Sequence, residues 1–371
     1  MEKDDLFYLM ALTLIPKIGA ITAKKLISYA GSPEGVFLES KQALKRIPGI
    51  GEFVAGNVVL DKYIQLAEEE FQAMKKNGIL ALSYRDSRYP WRLKNCEDGP
   101  LLLFYRGKPD FARTKWLSVV GTRNSTSYGQ EMCQQIISQL AARYPELVIV
   151  SGLAYGIDII SHRLALEYNL HTLAVLAHGL NTIYPSIHHD TARRIMENGA
   201  IVSDFHTTMK PERNNFLRRN RIIAGLSEAT LVVESGVRGG ALITAEIASS
   251  YNREVLAVPG RATDTYSSGC NMLIRNNIAS LIETAEDIEQ VLGWETQASV
   301  PVPRTILQAE LAEEDKRILQ CIKDEPGIVQ EILSVRTSVP IHKLAGILIR
   351  MELLGWISVQ PGNRYSVLVK F

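Results

Sequence analysis

What this sequence lacks narrows it first. Across 371 residues, 41 Lys and Arg offset 40 Asp and Glu, so no bulk charge recruits a polyanion and any basic surface must be local. The four cysteines, Cys96, Cys133, Cys270 and Cys321, stand far apart with no CxxC or other ligand spacing. They read as reduced, partly buried thiols and point to a cytoplasmic protein. No apolar run is long enough to span a bilayer, so no membrane association is expected. The opening "MEKDDLFYLMALTLIPKIG" holds a short apolar stretch, but two aspartates precede it and no small-residue cleavage site follows, so it reads as a core helix. The length exceeds one ordinary domain and predicts two or three.

What is present changes texture along the chain. Residues 1–80 read as a small helical domain with two similar turns, "LIPKIGAITAKKLI" and "RIPGIGEFVAGNVV", resembling helix-hairpin-helix units. Gly19 and Gly51 there either offer backbone N–H groups to a DNA phosphate or let two helices pack tightly. After a connecting stretch at 83–107, residues 81–292 alternate apolar strands with amphipathic helices. The strands are expected at 116–121, 147–152, 172–179, 200–205, 229–236 and 254–260, nearly continuous apolar runs that predict a parallel, doubly wound α/β sheet covered on both faces. Its binding crevice is expected at the C-terminal strand ends, where most of these runs finish in glycine. A linker follows at 293–310. Residues 311–371 then read as three helices and a β-hairpin, the order of a winged helix, whose third helix offers only His342, Lys343 and Arg350 among apolar neighbours.

Four loops of the α/β region carry the chemistry. In "VVGTRNSTSYG" Gly121 permits a tight turn, Ser125, Thr126 or Ser127 can cap the next helix, and its free N–H groups form an anion site to which Arg123 adds a full charge. A dinucleotide fingerprint would require glycine at 123 and an acidic residue after the second strand, so NAD binding is disfavoured. In "SGLAYGIDIISHRLAL" Asp158 and His162 lie one helical turn apart, either as an acid–base pair or as a loop-fixing carboxylate above a packed histidine. In "HGLNTIYPSIHHD" three histidines cluster, but His188 and His189 are adjacent and no HxxxH spacing exists, so no metal is expected. "KPERNNFLRRNRIIAG" sets Lys210, Arg213, Arg218, Arg219 and Arg221 against Glu212 alone, with Phe216 among them. Cations that track phosphates and a ring on which a base stacks suit single-stranded nucleic acid. "ESGVRGGALITAEIA" adds glycines, Thr244 and Arg238 as a second phosphate turn.

In order and spacing, these segments together with "GCNMLIRNN" resemble the DNA-processing protein A family, also called DprA or Smf, over roughly residues 80–285. The resemblance implies an extended Rossmann-like domain that binds single-stranded DNA without base specificity, dimerises, and loads RecA recombinase onto incoming strands in natural transformation. It implies no enzymatic activity and no cofactor. By position, Gly121, Thr122 and Arg123 match a Gly-x-Arg phosphate contact. Arg213 and Phe216 fall where the family has a basic residue and a base-contacting aromatic, ahead of Arg219, Asn220 and Arg221. Gly240 and Thr244 match the later turn, and Ser127, Gly156, Arg238 and Gly239 complete the expected DNA track. Departures are Gly239, Gly240 and Ala241 in place of a common Ser-Gly-Ser, Ser161 for alanine and His188 for asparagine. The alternative is a nucleotide phosphoribohydrolase of the same fold, whose PGGxGTxxE loop "RGGALITAE" approximates, with Glu246 as the acid.

Overall fold

The structure, a computed structural model, describes residues 3–294, 313–325, 327–354, 356–360 and 364–367. It divides into two compact units, Met1–Trp294 and Glu295–Phe371. The first opens with helices α1 (Lys3–Leu14), α2 (Ala20–Ala30), α3 (Pro33–Leu38), α4 (Lys41–Lys45), α5 (Glu52–Val58) and α6 (Lys62–Lys76). Ser32 and Ser40 start α3 and α4 by accepting the N–H groups of Gly35 and Ala43, as N-cap hydroxyls do. Gly19 and Gly51 are the N-caps of α2 and α5. Neither is there for tight packing, since a Cβ at either would meet nothing within 4 Å. Four of the lysines around these turns are engaged internally. Lys24 donates to the Glu97 carbonyl at 3.1 Å, Lys25 to that of Pro48, and Lys41 and Lys45 both pair with Glu52.

The chain then builds β1 (Leu80–Ser83), α7 (Trp91–Lys94), β2 (Leu102–Gly107), β3 (Trp116–Val120), α8 (Ser127–Arg143), β4 (Val148–Ser151), α9 (Ile157–Glu167), β5 (His171–Val175), α10 (His189–Glu197), β6 (Gly199–Ser203), α11 (Arg213–Leu226), β7 (Ala229–Val232), α12 (Gly240–Ser250), β8 (Glu254–Ala257), α13 (Ser268–Arg275), β9 (Ser280–Leu281) and α14 (Ala285–Leu292). The nine strands order as β1-β2-β6-β5-β4-β3-β7-β8-β9. All six expected strands are present, and β6 through β9 pair in parallel. The stretch expected to be a connector instead supplies β2, which with β1 forms an antiparallel edge against β6. Its apolar run is only four residues, Leu101–Phe104, too short to separate from a buried turn by pattern alone.

Alternate residues of the strands feed opposite faces, as a period of two requires. Leu117, Val119 and Ile149 pack with Ile136, Ile137 and Leu140 of α8 and Ile288 of α14. Val120, Val148 and Val150 pack with Ile222 and Ile223 of α11, Leu242 of α12 and Leu273 of α13. From β3 the chain winds outward through β4, β5 and β6, then returns to β7 on the other side of β3. The switch point of a doubly wound sheet, where ligands bind, therefore lies between β3 and β7. The unit ends later than expected: Trp294 is buried, with its ring 5.2 Å from that of Tyr144.

The second unit has α15 (Glu313–Asp324), β10 (Ile328–Val329), α16 (Gln330–Thr337), α17 (Ile341–Leu353), β11 (Ile357–Gln360) and β12 (Arg364–Val367), with an antiparallel sheet ordered β10-β12-β11. Ile318, Leu319, Ile322, Leu333, Leu344, Leu348 and Met351 form its core. Lys343 and Arg350, two of the three polar groups singled out on the third helix, pair with Glu314 and Asp315 of α15 at 2.8 and 2.6 Å. The rest of the expected linker, 295–310, and residues 361–363 of the expected hairpin lie outside the described residues. No single helix among the described residues is long and apolar enough to cross a membrane.

Candidate functional site

A cleft of about 1140 Å³ opens at the switch point. Three segments form most of its wall: the turn after β3, one face of α11, and the loop from β7 into α12.

The β3 turn is pinned from two sides. The Thr122 N–H donates to the Glu234 carbonyl at 2.7 Å, and the Ile157 N–H donates to the Thr122 carbonyl at 3.2 Å. Gly121 must lack a side chain, because a Cβ would stand 2.5 Å from Ile157. Gly156 has φ +73° and would clash at 2.1 Å with the Thr122 carbonyl, so it supports the turn from beneath and does not line the cleft. The result projects Arg123 into solvent with its guanidinium 5.4 Å from the Phe216 ring centre.

On α11 the arginines divide by helical phase. Arg213 is exposed at the first turn. Arg219 is buried, donates to the Val175 carbonyl at 2.6 Å, and fits only because Gly152 leaves room for its guanidinium. Burial pushes Arg219 down to about 10, opposed by the Asp158 carboxylate, so it remains charged at neutral pH. The carboxylate is in turn raised by burial and drawn down by Arg219. Arg219 sits 5.8 Å from the Phe216 ring, so one buried and one exposed cation lie within reach of the same ring, contacts favoured by the ring quadrupole. Asn220 donates to the Gly240 carbonyl at 3.2 Å and ties α11 to the start of α12. Arg221 points elsewhere, paired with Asp204 and the Asp98 carbonyl, and does not line the cleft.

The third wall holds exposed Arg238, then Gly239 and Gly240 at the start of α12, which no side chain caps. Thr244 is buried and its hydroxyl donates to the Gly240 carbonyl at 3.0 Å, within its own helix. Glu246 lies exposed on the cleft wall. The expected anion site at the start of α8 differs from the sequence reading. The Thr126 hydroxyl accepts the Gly129 N–H, while the Glu234 carboxylate accepts the Thr126 N–H at 2.9 Å and its hydroxyl at 2.5 Å. Ser127 is exposed outside the cleft lining.

The titratable groups singled out by sequence are mostly internal. His162 is fully buried, its Nδ1 2.7 Å from the Thr172 hydroxyl, and burial holds it down to about 3. It is a neutral packed ring beneath the Asp158 loop. His178 and His188 are buried with Nδ1 on the carbonyls of Gly179 and Leu153. Among the described residues no three His, Cys, Asp or Glu side chains converge.

Sequence reasoning did not assign Tyr184, Asn124 or Tyr266 to the site. Tyr184 is half exposed, lines the cleft and has its ring 6.0 Å from that of Phe216. An aromatic at a polar turn tip was its one local signal. The Asn124 amide reaches the Tyr266 hydroxyl at 3.3 Å across more than a hundred residues, a contact the sheet creates and no spacing announces.

A doubly wound sheet with cations spread around an aromatic ring at its switch point, and with a carboxylate of its own against its first helix N-cap, defines a Rossmann-like protein. The chain belongs to the family described as DNA recombination-mediator protein A, whose model matches residues 81–293. It is 30% identical to Protein Smf of Synechocystis, over 99% of this chain and 100% of that one, and 36% identical to Protein Smf of Escherichia coli, over 74% of each. Among solved structures it is similar to DNA processing protein A of Streptococcus pneumoniae, with TM-score 0.66, 30% identity, and coverage of 78% of this chain and 98% of that one. It is also similar to DNA processing protein A of Helicobacter pylori, whose structure concerns a single-stranded DNA binding mode, with TM-score 0.52, 26% identity, and coverage of 58% and 95%.

Proposed function

We propose that this protein binds single-stranded DNA along the switch-point cleft and acts as a recombination mediator without catalysing a reaction. The observation that carries the proposal is the Arg123–Phe216–Arg219 stack set among exposed Arg213 and Arg238. Exposed guanidiniums at separate points suit the repeating phosphates of a strand, and the Phe216 ring with Tyr184 beside it offers bases a sequence-tolerant surface. Family membership supports extending this reading to a cytoplasmic homodimer that delivers strands to RecA, in natural transformation where the host takes up DNA. Within it, the helices of residues 1–80 form a helix-hairpin-helix or SAM-like domain, and the three-helix, three-strand C-terminal unit is a winged helix. With Lys343 and Arg350 engaged internally, that winged helix suits protein contact better than base reading.

Fluorescence titration with labelled oligothymidine tests the core of the proposal. Binding that weakens steeply with salt is expected, together with similar affinity for other unstructured sequences. Absence of binding would refute it, and release of free base from AMP-like nucleotides would assign the cleft to hydrolysis instead.

A further inference from the structure

The residue that closes off the usual nucleotide position is Glu234, two residues beyond β7. It is buried, 2% exposed, yet its carboxylate is held by the N–H and hydroxyl of Thr126, the N-cap of α8, and not by a basic side chain. Its place is built in, because a Cβ at Gly129 would stand 2.1 Å from its Oε2. In a doubly wound sheet the start of the helix after the first parallel strand is where the pyrophosphate of a bound dinucleotide rests, stabilised by free N–H groups and the positive helix end. Here a carboxylate of the protein itself occupies that position. It accepts the N–H and hydroxyl of the N-cap and sets a carboxylate beside the helix start, where it disfavours a second anion.

We propose that Glu234 is a specificity determinant that excludes nucleoside di- and polyphosphates and dinucleotides from the cleft, so that a DNA strand is held in their presence. This rests on the single-stranded DNA reading above. A strand does not need the α8 position, since Arg123, Arg213 and Arg238 offer it cations along the open part of the cleft. A compact diphosphate depends on one concentrated anion site and loses most of its binding when that site is filled.

The test uses the full chain and two variants at fixed ionic strength. Glu234→Gln removes the charge and retains an oxygen for the Thr126 N–H, while Glu234→Ala removes both charge and bulk. Thermal melts establish that each is folded. ADP and NAD are titrated directly by calorimetry, then added as competitors against labelled oligothymidine. In the wild type neither nucleotide should compete. Glu234→Ala should bind ADP at least about tenfold more tightly than wild type, the size of change that anion–helix energies support, and ADP should then displace the oligonucleotide. Glu234→Gln should gain in the same direction by less. Wild-type affinity for ADP equal to that of the variants overturns the proposal, as does a folded variant that gains nothing. Should the alanine variant not fold, the glutamine variant decides alone. Oligothymidine binding measured without nucleotide scores the DNA reading separately, so its failure cannot be mistaken for failure of the Glu234 role.

Discussion

At the scale of single residues, two arginines two positions apart on α11 hold opposite duties, and Arg123 makes the comparison sharp. Arg123→Ala should weaken oligothymidine binding of any sequence and reduce the salt slope by about 0.7, the value of one phosphate contact to a single strand, with little change in melting temperature. Arg221→Ala should instead cost on the order of 3 kcal/mol of stability by stranding the buried Asp204 carboxylate and leave the slope of any folded fraction unchanged. Denaturant titration and salt-dependent fluorescence separate the two. His162 gives a pH signature. Its folded value near 3 lies below the ordinary 6.5, so between those values the unfolded chain binds the extra proton. Its contribution to stability is therefore full above about pH 6.5 and is lost as pH falls, by up to ~1.4 kcal/mol per unit. Denaturant midpoints measured from pH 7 to 5 should show this slope, and His162→Gln should flatten it. The sequence made charge and aromaticity at 213–221 legible. It could not say which guanidiniums face outward, because helical phase sets Arg219 against the Val175 carbonyl, 44 residues away, and Arg221 against Asp204 and the Asp98 carbonyl.

At the scale of elements, the site depends on turns that meet no ligand. Gly156 carries a positive φ and lies against the backbone of the Arg123 turn. Gly156→Ala should destabilise the protein by about 1–3 kcal/mol through strain and collision. It should also weaken oligothymidine binding, although the added methyl stays outside the cleft; an unchanged affinity in a folded variant would show that the turn can shift freely. The alternation of strands and helices was readable because buried parallel strands are continuous apolar runs. The antiparallel edge was not, since β1 has four residues and β2 six, and β6, the strand on which β2 pairs, is distant in sequence. The start of α8 shows a subtler limit. Its capping residues were visible locally, but the carboxylate that binds its N-cap arrives from the loop after β7.

At the scale of the whole molecule, a near-zero net charge means that attraction to a strand comes from a few local cations. The core of Met1–Trp294 is complete within itself, so a chain ending at Trp294 should remain folded and keep its oligothymidine affinity. A large loss of affinity would place part of the DNA track in the C-terminal unit. The pairing of β3 with β7, Val120 opposite Val232, also sets a timetable for the newborn chain. The Arg123 turn leaves the ribosome first but has no opposite wall until β7 and α12 follow, about 110 residues and roughly 6–20 seconds later at ordinary elongation rates. A nascent chain is therefore without a grip on DNA until most of the first unit has been translated, and nonsense products that stop before β7 should be inert toward single strands.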